Sequence, residues 1–496
     1  MATNDFVSKF MAEFPFQGLT FDDVSLITQY ADFLPDEAII RSRLTSRIDV
    51  NMPFLSAAMD TVTESHMAIS MALLGGIGII HKNLSAGEQA RQVGVVKHHL
   101  HGLIRDPITF RTSDTLETVR ERRNSRNFSF SGFPILDDDG NIAGILTSTD
   151  IKYSEDEFAC VSDVMTRDVI SAAPDTDQQA AYEIMMKNKI GKLPLVEKGK
   201  LVGLYSFSDV STLVRDVKPL YNRDSKYRLR VGAAVSPNNE SRVEALAAEG
   251  VDVIVVDSAH GHSKGVMDMT RWIAKHYPEI DIIAGNIGTA DGALALRDAG
   301  AHAVKIGIGP GSICTTRVVC GVGIPQITAI HAAQSALQGS IPVIADGGIR
   351  HSGDVPKAIV AGADTVMLGS ILAGTEESPG EKIIHQGRQY VVYRGMGSLS
   401  AMQQGSGSRE RYNQADVDAD DLVPQGIEGI VPYAGTVQKV MTQFCGGLTS
   451  SMGYCGCRNI AELQTNGKFT RVSSAGLHEA HPHDVKIMKE APNYRS

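Results

Sequence analysis

The chain alternates between short apolar segments and amphipathic helical ones, and this alternation constrains the fold more than any other feature. Helical stretches such as 240–250 and 292–300 end in glycine, as helix C-termini often do. Strand–helix–strand order predicts parallel strands joined by right-handed crossovers. Eight such units predict an α/β protein with a (β/α)8 TIM barrel, in preference to a doubly wound open sheet. The predicted strands are 52–59, 76–81, 228–235, 251–258, 281–288, 303–309, 341–348 and 365–370.

An internal repeat interrupts this alternation after the second strand. Residues 133–151 match residues 193–210, and each copy is predicted as strand, turn, strand and a Ser/Thr-x-x-Asp element that opens a helix. The repeat resembles a tandem pair of CBS domains (a Bateman domain). That resemblance implies a regulatory nucleotide site, although the same residues would equally serve as helix N-caps. The residues concerned are Thr147, Asp150, Ser206 and Asp209.

These patterns predict an inserted domain within a catalytic barrel. The barrel comprises 1–100 and 221–496, and the tandem CBS domain comprises 101–220, with its copies at about 101–160 and 161–220. A polar, acidic and glycine-rich stretch at about 400–435, here called the flap segment, breaks the barrel pattern again. A long loop of this kind is a lid or a disordered linker. By composition alone, Arg411 and Tyr412 within it would form a solvated face.

Composition indicates an ordinary globular enzyme-sized chain. Its 496 residues are 43% hydrophobic and 21% charged, and the net charge of −10 argues against non-specific nucleic-acid binding. The longest apolar run, 67–80, is too short to span a bilayer, and the N-terminus lacks the apolar region of a signal peptide. Six cysteines in so long a chain form no disulfide framework, and Cys455 and Cys457 lack the second pair of a zinc site. We therefore expect a reducing compartment, the cytoplasm.

A glycine-rich loop at 307–321 follows the sixth predicted strand and carries Cys314. Hydroxyl side chains, including those of Ser312 and Thr316, flank the thiol. Nucleophilic thiols are partly exposed among polar neighbours, whereas structural thiols are buried. The loop therefore predicts Cys314 as a nucleophile; the alternative is a small core cysteine in a phosphate-binding loop. Cys320, which follows two valines, is predicted to be structural.

Other strand ends carry polar side chains and glycines. Active sites of TIM barrels lie at the carboxyl ends of the strands, and phosphate commonly binds after strands 7 and 8. Backbone N–H groups of glycine-rich turns bind anions, so a phosphate ligand is predicted there. Asp346 would repel phosphate and is assigned to sugar hydroxyls; the alternative is a turn-forming aspartate. The strand-end residues are Asp257, Ser258, Asn286, Asp346, Gly347, Gly348, Gly369 and Ser370.

Several motifs together resemble those of the inosine-5′-monophosphate dehydrogenase family, which includes guanosine monophosphate reductases. They are GPGSICTT (309–316), ADGGI (345–349), LGS (368–370), YRGMGS (393–398), SRERY (408–412) and AGLHEAHPHDV (475–485). The resemblance covers nearly the whole chain. It implies NAD-dependent oxidation of inosine 5′-monophosphate (IMP) to xanthosine 5′-monophosphate (XMP), the committed step of guanine nucleotide synthesis. A covalent thioimidate on Cys314 would be the intermediate.

The resemblance also implies a role for each matching residue. Arg411 would act as the base for water, with help from Thr316. The implied catalytic residues are Cys314, Thr316, Arg411 and Tyr412. The implied IMP-binding residues are Ser312, Asp346, Gly348, Gly369, Ser370, Tyr393, Gly395, Met396, Gly397 and Gln425. NAD would meet Asp257, Ser258, Asn286, Gly307 and Gly309. A potassium ion would bind main-chain carbonyls of Gly309, Gly311 and Cys314 and, from a neighbouring subunit, Glu479, Ala480 and His481.

The assembly implied by the resemblance is a homotetramer. Some members stack into octamers under the control of purine nucleotides (ATP or GTP) at the CBS pair, and neither a membrane nor a specific nucleic acid is an expected partner. One departure concerns Gln425, which stands where many bacterial members carry Glu. This puts a second proton-relay route in doubt.

Two alternatives were weighed against the dehydrogenase. Guanosine monophosphate reductase shares the barrel, the thiol loop and the phosphate site, but its family lacks the long flap with the Arg-Tyr pair, which SRERY supplies here. A catalytically dead nucleotide sensor is the alternative from a different class. The presence of Cys314, Thr316, Arg411 and Tyr412 argues against it.

Overall fold

The protein divides into two compact units. The computed structural model describes the chain except residues 1–4, 14, 16, 100–102, 105–106, 126–131, 153, 155–157, 216–219, 227, 489–490 and 495–496. One unit comprises Met1–Lys97 with Pro219–Ser496, and the other comprises His98–Lys218. The second unit thus occupies the part of the chain where the sequence predicts the inserted repeat.

The first unit is built on a closed barrel of eight parallel strands. The strands are β1 (Phe54–Ser56), β2 (Ile77–Ile80), β3 (Gly232–Val235), β4 (Val253–Asp257), β5 (Asp281–Ile287), β6 (Ala303–Ile306), β7 (Val343–Asp346) and β8 (Thr365–Leu368). Each strand pairs with the next in sequence, and β8 closes on β1. The predicted TIM barrel is confirmed, and closure excludes the open sheet.

Helices connect these strands and cover the barrel. They are α1 (Ser65–Leu73), α2 (Ala86–His98), α3 (Glu240–Ala248), α4 (Lys264–His276), α5 (Ala290–Asp298), α6 (Gln326–Leu337), α7 (Asp354–Ala361) and α8 (Val437–Cys455). Successive side chains of a strand point to opposite faces. Along β4, Val253 and Val255 therefore pack inside the barrel, whereas Ile254 and Val256 pack against the helices. Because both faces of each strand are buried, the strands are apolar runs rather than alternating ones.

Additional elements flank the barrel. After β8, an antiparallel sheet contains β9 (Lys382–His385), β10 (Arg388–Arg394) and β11 (Glu428–Pro432). The flap segment contains helices Leu399–Gln404 and Ser406–Arg411, a turn of 3-10 helix at Ala419–Asp421, and β11. Its interpretation as a disordered linker is therefore wrong. The N-terminal strand Val24–Leu26 pairs with Phe469–Arg471 near the C-terminus. The other described helices of this unit are Asp5–Ala12, Ile460–Asn466 and Ser474–Ala480. Its remaining short elements are Phe21–Asp23, Pro35–Glu37, Ser42–Arg43, Asp49–Val50, Thr316–Val319 and Ser370–Ala373.

The second unit contains both copies of the sequence repeat. The first copy has strands Gly132–Leu136 and Ile142–Thr147 followed by helix Ser148–Lys152, and the second has Lys192–Glu197 and Lys200–Ser206 followed by helix Phe207–Arg215. Each strand pair is antiparallel, as the predicted strand–turn–strand pattern requires. Strands Leu103–Ile104 and Phe110–Arg111 extend the two sheets, and helices Leu116–Ser125, Val161–Val164 and Gln178–Asn188 pack in the same unit.

The two Ser/Thr-x-x-Asp elements differ in detail. In the first copy, the backbone N–H and the hydroxyl of Thr147 donate to Asp150 Oδ2 at 2.7 and 2.8 Å, in the manner of a capping box. In the second copy, the Ser206 hydroxyl instead accepts from Lys192 Nζ at 3.0 Å. The helix-cap interpretation thus accounts for the first copy only.

Within the described ranges, no helix has the length and apolar character needed to cross a bilayer.

Candidate active site

A cavity of about 370 Å³ opens at the carboxyl end of the barrel. Residues at the ends of β4 to β8 contribute to its lining, as expected for a TIM barrel. The predicted site residues that line it are Asp257, Asn286, Gly307, Gly309, Gly311, Ser312, Cys314, Thr316, Asp346, Gly348, Gly369, Ser370, Tyr393, Gly395, Met396, Arg411, Tyr412 and Gln425. The predicted site residues of the barrel unit that lie outside the lining are Ser258, Gly397, Glu479, Ala480 and His481.

The Cys314 loop forms backbone hydrogen bonds with the end of the flap segment. The backbone N–H of Ile427 donates to Ile313 O at 3.0 Å, and that of Thr315 donates to Gln425 O at 3.0 Å. Residues more than a hundred positions apart therefore form one short ladder around the thiol. This pairing places the Gln425 side chain beside the loop.

The thiol of Cys314 begins a short chain of hydrogen bonds. It donates to Thr316 Oγ1 at 3.1 Å, and the Thr316 hydroxyl donates to Gln425 Oε1 at 3.0 Å. Cys314 is partly exposed, as a nucleophilic thiol should be. Because an amide does not titrate, the relay ends at Gln425 without a group that could take the proton away.

The turns after β7 and β8, where the sequence predicts a phosphate, line the cavity. Gly347 and Gly348 have φ angles of +90° and +85°, which a residue with a side chain rarely adopts. A Cβ on Gly369 would lie 3.1 Å from the Tyr393 hydroxyl, so this glycine lets the backbone approach the tyrosine closely. Burial raises the pKa of Tyr393, which keeps its hydroxyl protonated as a donor.

A buried lysine that sequence reasoning missed connects three predicted site residues. Lys305 on β6 is 2% exposed. Its ammonium donates to Asp346 Oδ2 at 2.5 Å and to Asn286 Oδ1, and it lies 3.2 Å from Asp257 Oδ1. A lysine within an otherwise apolar buried strand is rare without partners, and this was the signal in the sequence that could have revealed it.

The flap segment places Arg411 in the cavity. Its guanidinium forms an ion pair with Asp257 Oδ2, and its carbonyl accepts a hydrogen bond from Ala259 N at 3.0 Å. The side chain of Arg411 is only 15% exposed, so the interpretation of Arg411 and Tyr412 as a solvated face is wrong. A Cβ on Gly397 would lie 2.7 Å from the Tyr412 ring, so the glycine makes room for the tyrosine. Burial raises the pKa of Tyr412, although Arg411 opposes this effect.

The loop after β2 forms hydrogen bonds with the flap segment, which is a second feature that the sequence did not reveal. Lys82 is fully buried, and its ammonium donates to Asp257 O at 2.6 Å. Burial lowers the pKa of Lys82 well below its ordinary value. The next residue, Asn83, accepts from Ser408 N and donates to Ala401 O, both at 3.3 Å. One loop therefore contacts both the strand end and the flap helices.

Comparison with protein-family models matches residues 18–483 to the IMP dehydrogenase / GMP reductase domain. The chain belongs to this family. The family predicted from the sequence motifs is thereby confirmed.

Individual relatives extend this result. Inosine-5′-monophosphate dehydrogenase of Chlorobaculum parvum is 50% identical over 489 residues, covering 97% of this chain and 98% of the relative. The protein of the same name from Escherichia coli K12 is 49% identical over 485 residues, with 97% and 98% coverage. Among solved structures, a cysteine-to-alanine variant of GMP reductase from Trypanosoma brucei, in complex with guanosine 5′-monophosphate, is similar with a TM-score of 0.85. It is 37% identical and covers 96% of this chain and 100% of its own.

Some residues of the family motifs lie away from the cavity. Glu479, Ala480 and His481 lie at the end of the exposed helix Ser474–Ala480 and just after it. Ser258 is buried beside β5, where its N–H donates to Gly285 O at 2.9 Å. Cys320, predicted to be a structural thiol, is exposed, because it ends the short helix Thr316–Val319, in which no residue is buried. Among the residues that the structure describes, no group of three or more His, Cys, Asp or Glu side chains could hold a metal ion.

Proposed function

We propose that the protein oxidises IMP to XMP with NAD⁺, a step of guanine nucleotide synthesis. The observation that carries this proposal is the meeting of Cys314, Thr316, Arg411 and Tyr412 in one cavity of a chain that belongs to this family. Its curated relatives, about half identical over nearly the full length, are named inosine-5′-monophosphate dehydrogenases.

Cys314 is the proposed nucleophile. Its sulfur would add to C2 of the hypoxanthine ring while the thiol proton is released to solvent, and C2 would then lose a hydride, which leaves a thioimidate on Cys314. NAD⁺, when bound, accepts that hydride. The carboxylate of Asp257 and the amide of Asn286 would bind the ribose and the nicotinamide of the cofactor. Oδ1 of Asp257 is buried and accepts no hydrogen bond from the described residues, so it retains capacity for a ligand hydroxyl.

Arg411 is the proposed base for the second step, in which water attacks C2 and displaces the Cys314 sulfur to give XMP. In this structure its guanidinium forms an ion pair with Asp257 Oδ2. An arginine base is unusual, since a free arginine has a pKa above about 12, and Arg411 would act as one only within a tight hydrogen-bond network. Because Arg411 and NAD⁺ would use the same aspartate, the flap segment and the cofactor would occupy the site in turn. This order fits a reaction in which hydride transfer precedes hydrolysis.

IMP would lie between the turns after β7 and β8 and the Cys314 loop. Its phosphate would be held by Ser312, Gly348, Gly369, Ser370 and Tyr393, and its ribose by Asp346. The purine would face Gly395, Met396, Gly397 and Gln425. Neutral donors of glycine-rich turns suit a phosphate dianion, and an aspartate suits vicinal hydroxyls.

Potassium binding and regulation belong to the same proposal. The loop's carbonyls at Gly309, Gly311 and Cys314 are the class of donor that a hard cation takes. The carbonyl of Gly311 already accepts from Cys314 N at 3.1 Å and retains a second lone pair. Glu479, Ala480 and His481 of a neighbouring subunit in a homotetramer would complete the set. The second unit would bind purine nucleotides as a CBS pair and thereby control octamer formation. The enzyme would be cytoplasmic.

A coupled assay tests the function. Purified protein with IMP, NAD⁺ and potassium should increase absorbance of the reduced cofactor, with XMP as product, and each substrate should be required. The solved structure of a GMP reductase with the same fold makes reductive deamination of guanosine monophosphate the second candidate. Consumption of NADPH with guanosine monophosphate, without activity on IMP, would establish that candidate instead. Silence in both assays would leave a nucleotide sensor.

A further inference from the structure

Lys305 joins residues that the proposed function assigns to two different ligands. Its ammonium bonds Asp346 and Asn286 and lies 3.2 Å from Asp257, and these three residues come from β7, β5 and β4. A lysine has three N–H donors and no acceptor, so all three donors face this set. The side chain is 2% exposed, so bulk water does not compete for it.

The surrounding backbone accommodates this lysine closely. In the parallel register, Lys305 lies opposite Gly285 of β5. A Cβ on Gly285 would lie 2.6 Å from Lys305 O and 2.8 Å from Lys305 Cβ. The glycine therefore allows the two strands to approach where the lysine turns towards the site, and the position of its ammonium is closely defined.

The lysine leaves each aspartate partly available to a ligand. Both Lys305 and Asn286 donate to Oδ2 of Asp346, and Oδ1 accepts no hydrogen bond from the part of the chain that the structure describes. On Asp257, Oδ2 pairs with Arg411, while Oδ1 lies 3.2 Å from the Lys305 ammonium and accepts no hydrogen bond from the described residues. A fixed cation between two carboxylates orients both of them and offsets their mutual repulsion.

The charge of this set depends on the flap segment. Two aspartates face Lys305 and Arg411, so the four side chains are neutral together when Arg411 is in place. Without Arg411 they carry one excess negative charge. The oxidised nicotinamide ring carries the positive charge that would offset it, and the reduced ring does not.

We propose that Lys305 is a positioning residue that holds Asp346 for the sugar of the nucleotide and Asp257 for the dinucleotide, so that one side chain sets the affinity for both ligands. This role rests on the proposed function, and it assigns Lys305 no contact with the reacting atoms. Loss of the ammonium should therefore weaken both ligands together.

The test compares two buried lysines in the full-length protein. Lys97 is also fully buried and also pairs with two aspartates, Asp224 and Asp252, but it lies outside the cavity lining. Lys305→Met should raise the dissociation constant of IMP, measured by calorimetry, and the KM for NAD⁺ by about tenfold or more each. Lys305→Arg should recover most of both losses. Lys97→Met should lower the melting temperature and leave both constants unchanged.

Wild-type affinity for IMP and NAD⁺ in a folded Lys305→Met protein would overturn the proposal and leave Lys305 a purely structural role. If Lys305→Met does not fold, Lys305→Gln takes its place, and wild-type affinities in that variant would overturn the proposal equally. If the wild-type chain reduced no NAD⁺ with IMP, the proposed function would fail. The binding comparison with guanosine monophosphate, which carries the same ribose phosphate, would then still decide the role of Lys305.

Discussion

The two ends of β4 place the same chemistry in different surroundings. Asp252, just before the strand, pairs with buried Lys97 at 2.7 Å and accepts from Val231 N at 2.9 Å. Asp257, the last residue of the strand, lies 3.2 Å from buried Lys305 and also pairs with Arg411 from the flap segment. The first end is closed by fixed partners, whereas the second opens into the cavity.

This difference shows that a buried Asp–Lys pair does not by itself mark an active site. At the closed end, the second aspartate, Asp224, also bonds Lys97, so the pair serves only to join segments of the chain. At the open end, one partner of Asp257 comes from a segment that the sequence predicts to move. Of the two aspartates, only Asp257 lines a cavity and pairs with a residue of a segment predicted to move.

The largest expected effect is at the open end, at the thiol. Cys314→Ala should reduce NAD⁺ reduction by at least about 10⁴-fold, because the proposed thioimidate forms on the Cys314 sulfur. The melting temperature should change little, since the thiol is partly exposed. Cys320→Ala is the matched control, an exposed cysteine on the same loop, and should keep full activity. Turnover that survives in Cys314→Ala would rule out the covalent route.

The next largest effect is expected when the ion pairs of Lys97 at the closed end are removed. Lys97→Met leaves two aspartates facing each other in the interior, so the free energy of unfolding should fall by about 3–5 kcal/mol. Denaturant titration measures this change, and the KM values serve as the functional readout. Lys264→Met, which removes an exposed lysine paired with Asp268, should unfold like the wild type. A change in KM without a loss of stability would mean that the closed end communicates with the site.

Removal of Arg411, the flap-segment partner of Asp257, should separate hydride transfer from hydrolysis. Arg411→Gln should retain a rapid burst of reduced cofactor and lower steady-state turnover by about 10²–10³-fold, because only hydrolysis needs the base in the proposed mechanism. Stopped-flow absorbance resolves the burst from the slow phase. Arg228→Gln is the control at the closed end, where Arg228 donates to Asp224 at 2.9 Å, and its turnover should match the wild type. Loss of the burst in Arg411→Gln would place Arg411 before hydride transfer instead.

Sequence reasoning located the open end better than its chemistry. Barrel strands buried on both faces are continuous apolar runs, so they could be placed from the sequence. Their ends were overextended, as 303–309 against the observed Ala303–Ile306, because glycine-rich strand ends belong to the loops. Cys314 was found because its loop follows a strand directly.

The missed residues depend on partners distant in sequence. Lys305 bonds Asp346, 41 residues away, and Lys82 bonds Asp257, 175 residues away. Only closure of the barrel brings such groups together, and no local pattern records it. The flap segment was misjudged for a similar reason, since its polar composition does not show that Arg411 finds a carboxylate in the cavity. The inserted repeat was easier to recognise, because it is visible in the sequence itself.

The smallest expected effect is a pH dependence at the closed end. Burial raises the pKa of Asp224, but the charges and hydrogen bonds of Lys97 and Arg228 together outweigh it and hold that pKa below the ordinary value of 3.8. A carboxyl with a depressed pKa in the folded state contributes stability above the unfolded-state pKa and loses it as pH falls through the folded-state pKa. The melting-temperature difference between wild type and Asp224→Asn should therefore shrink as pH falls from about 6 to about 3. Asp291→Asn, an exposed change on α5, should give a difference that does not vary with pH. A constant difference for Asp224→Asn as well would mean that Asp224 acts through packing rather than charge, and the resemblance between the two ends of β4 would then be one of shape alone.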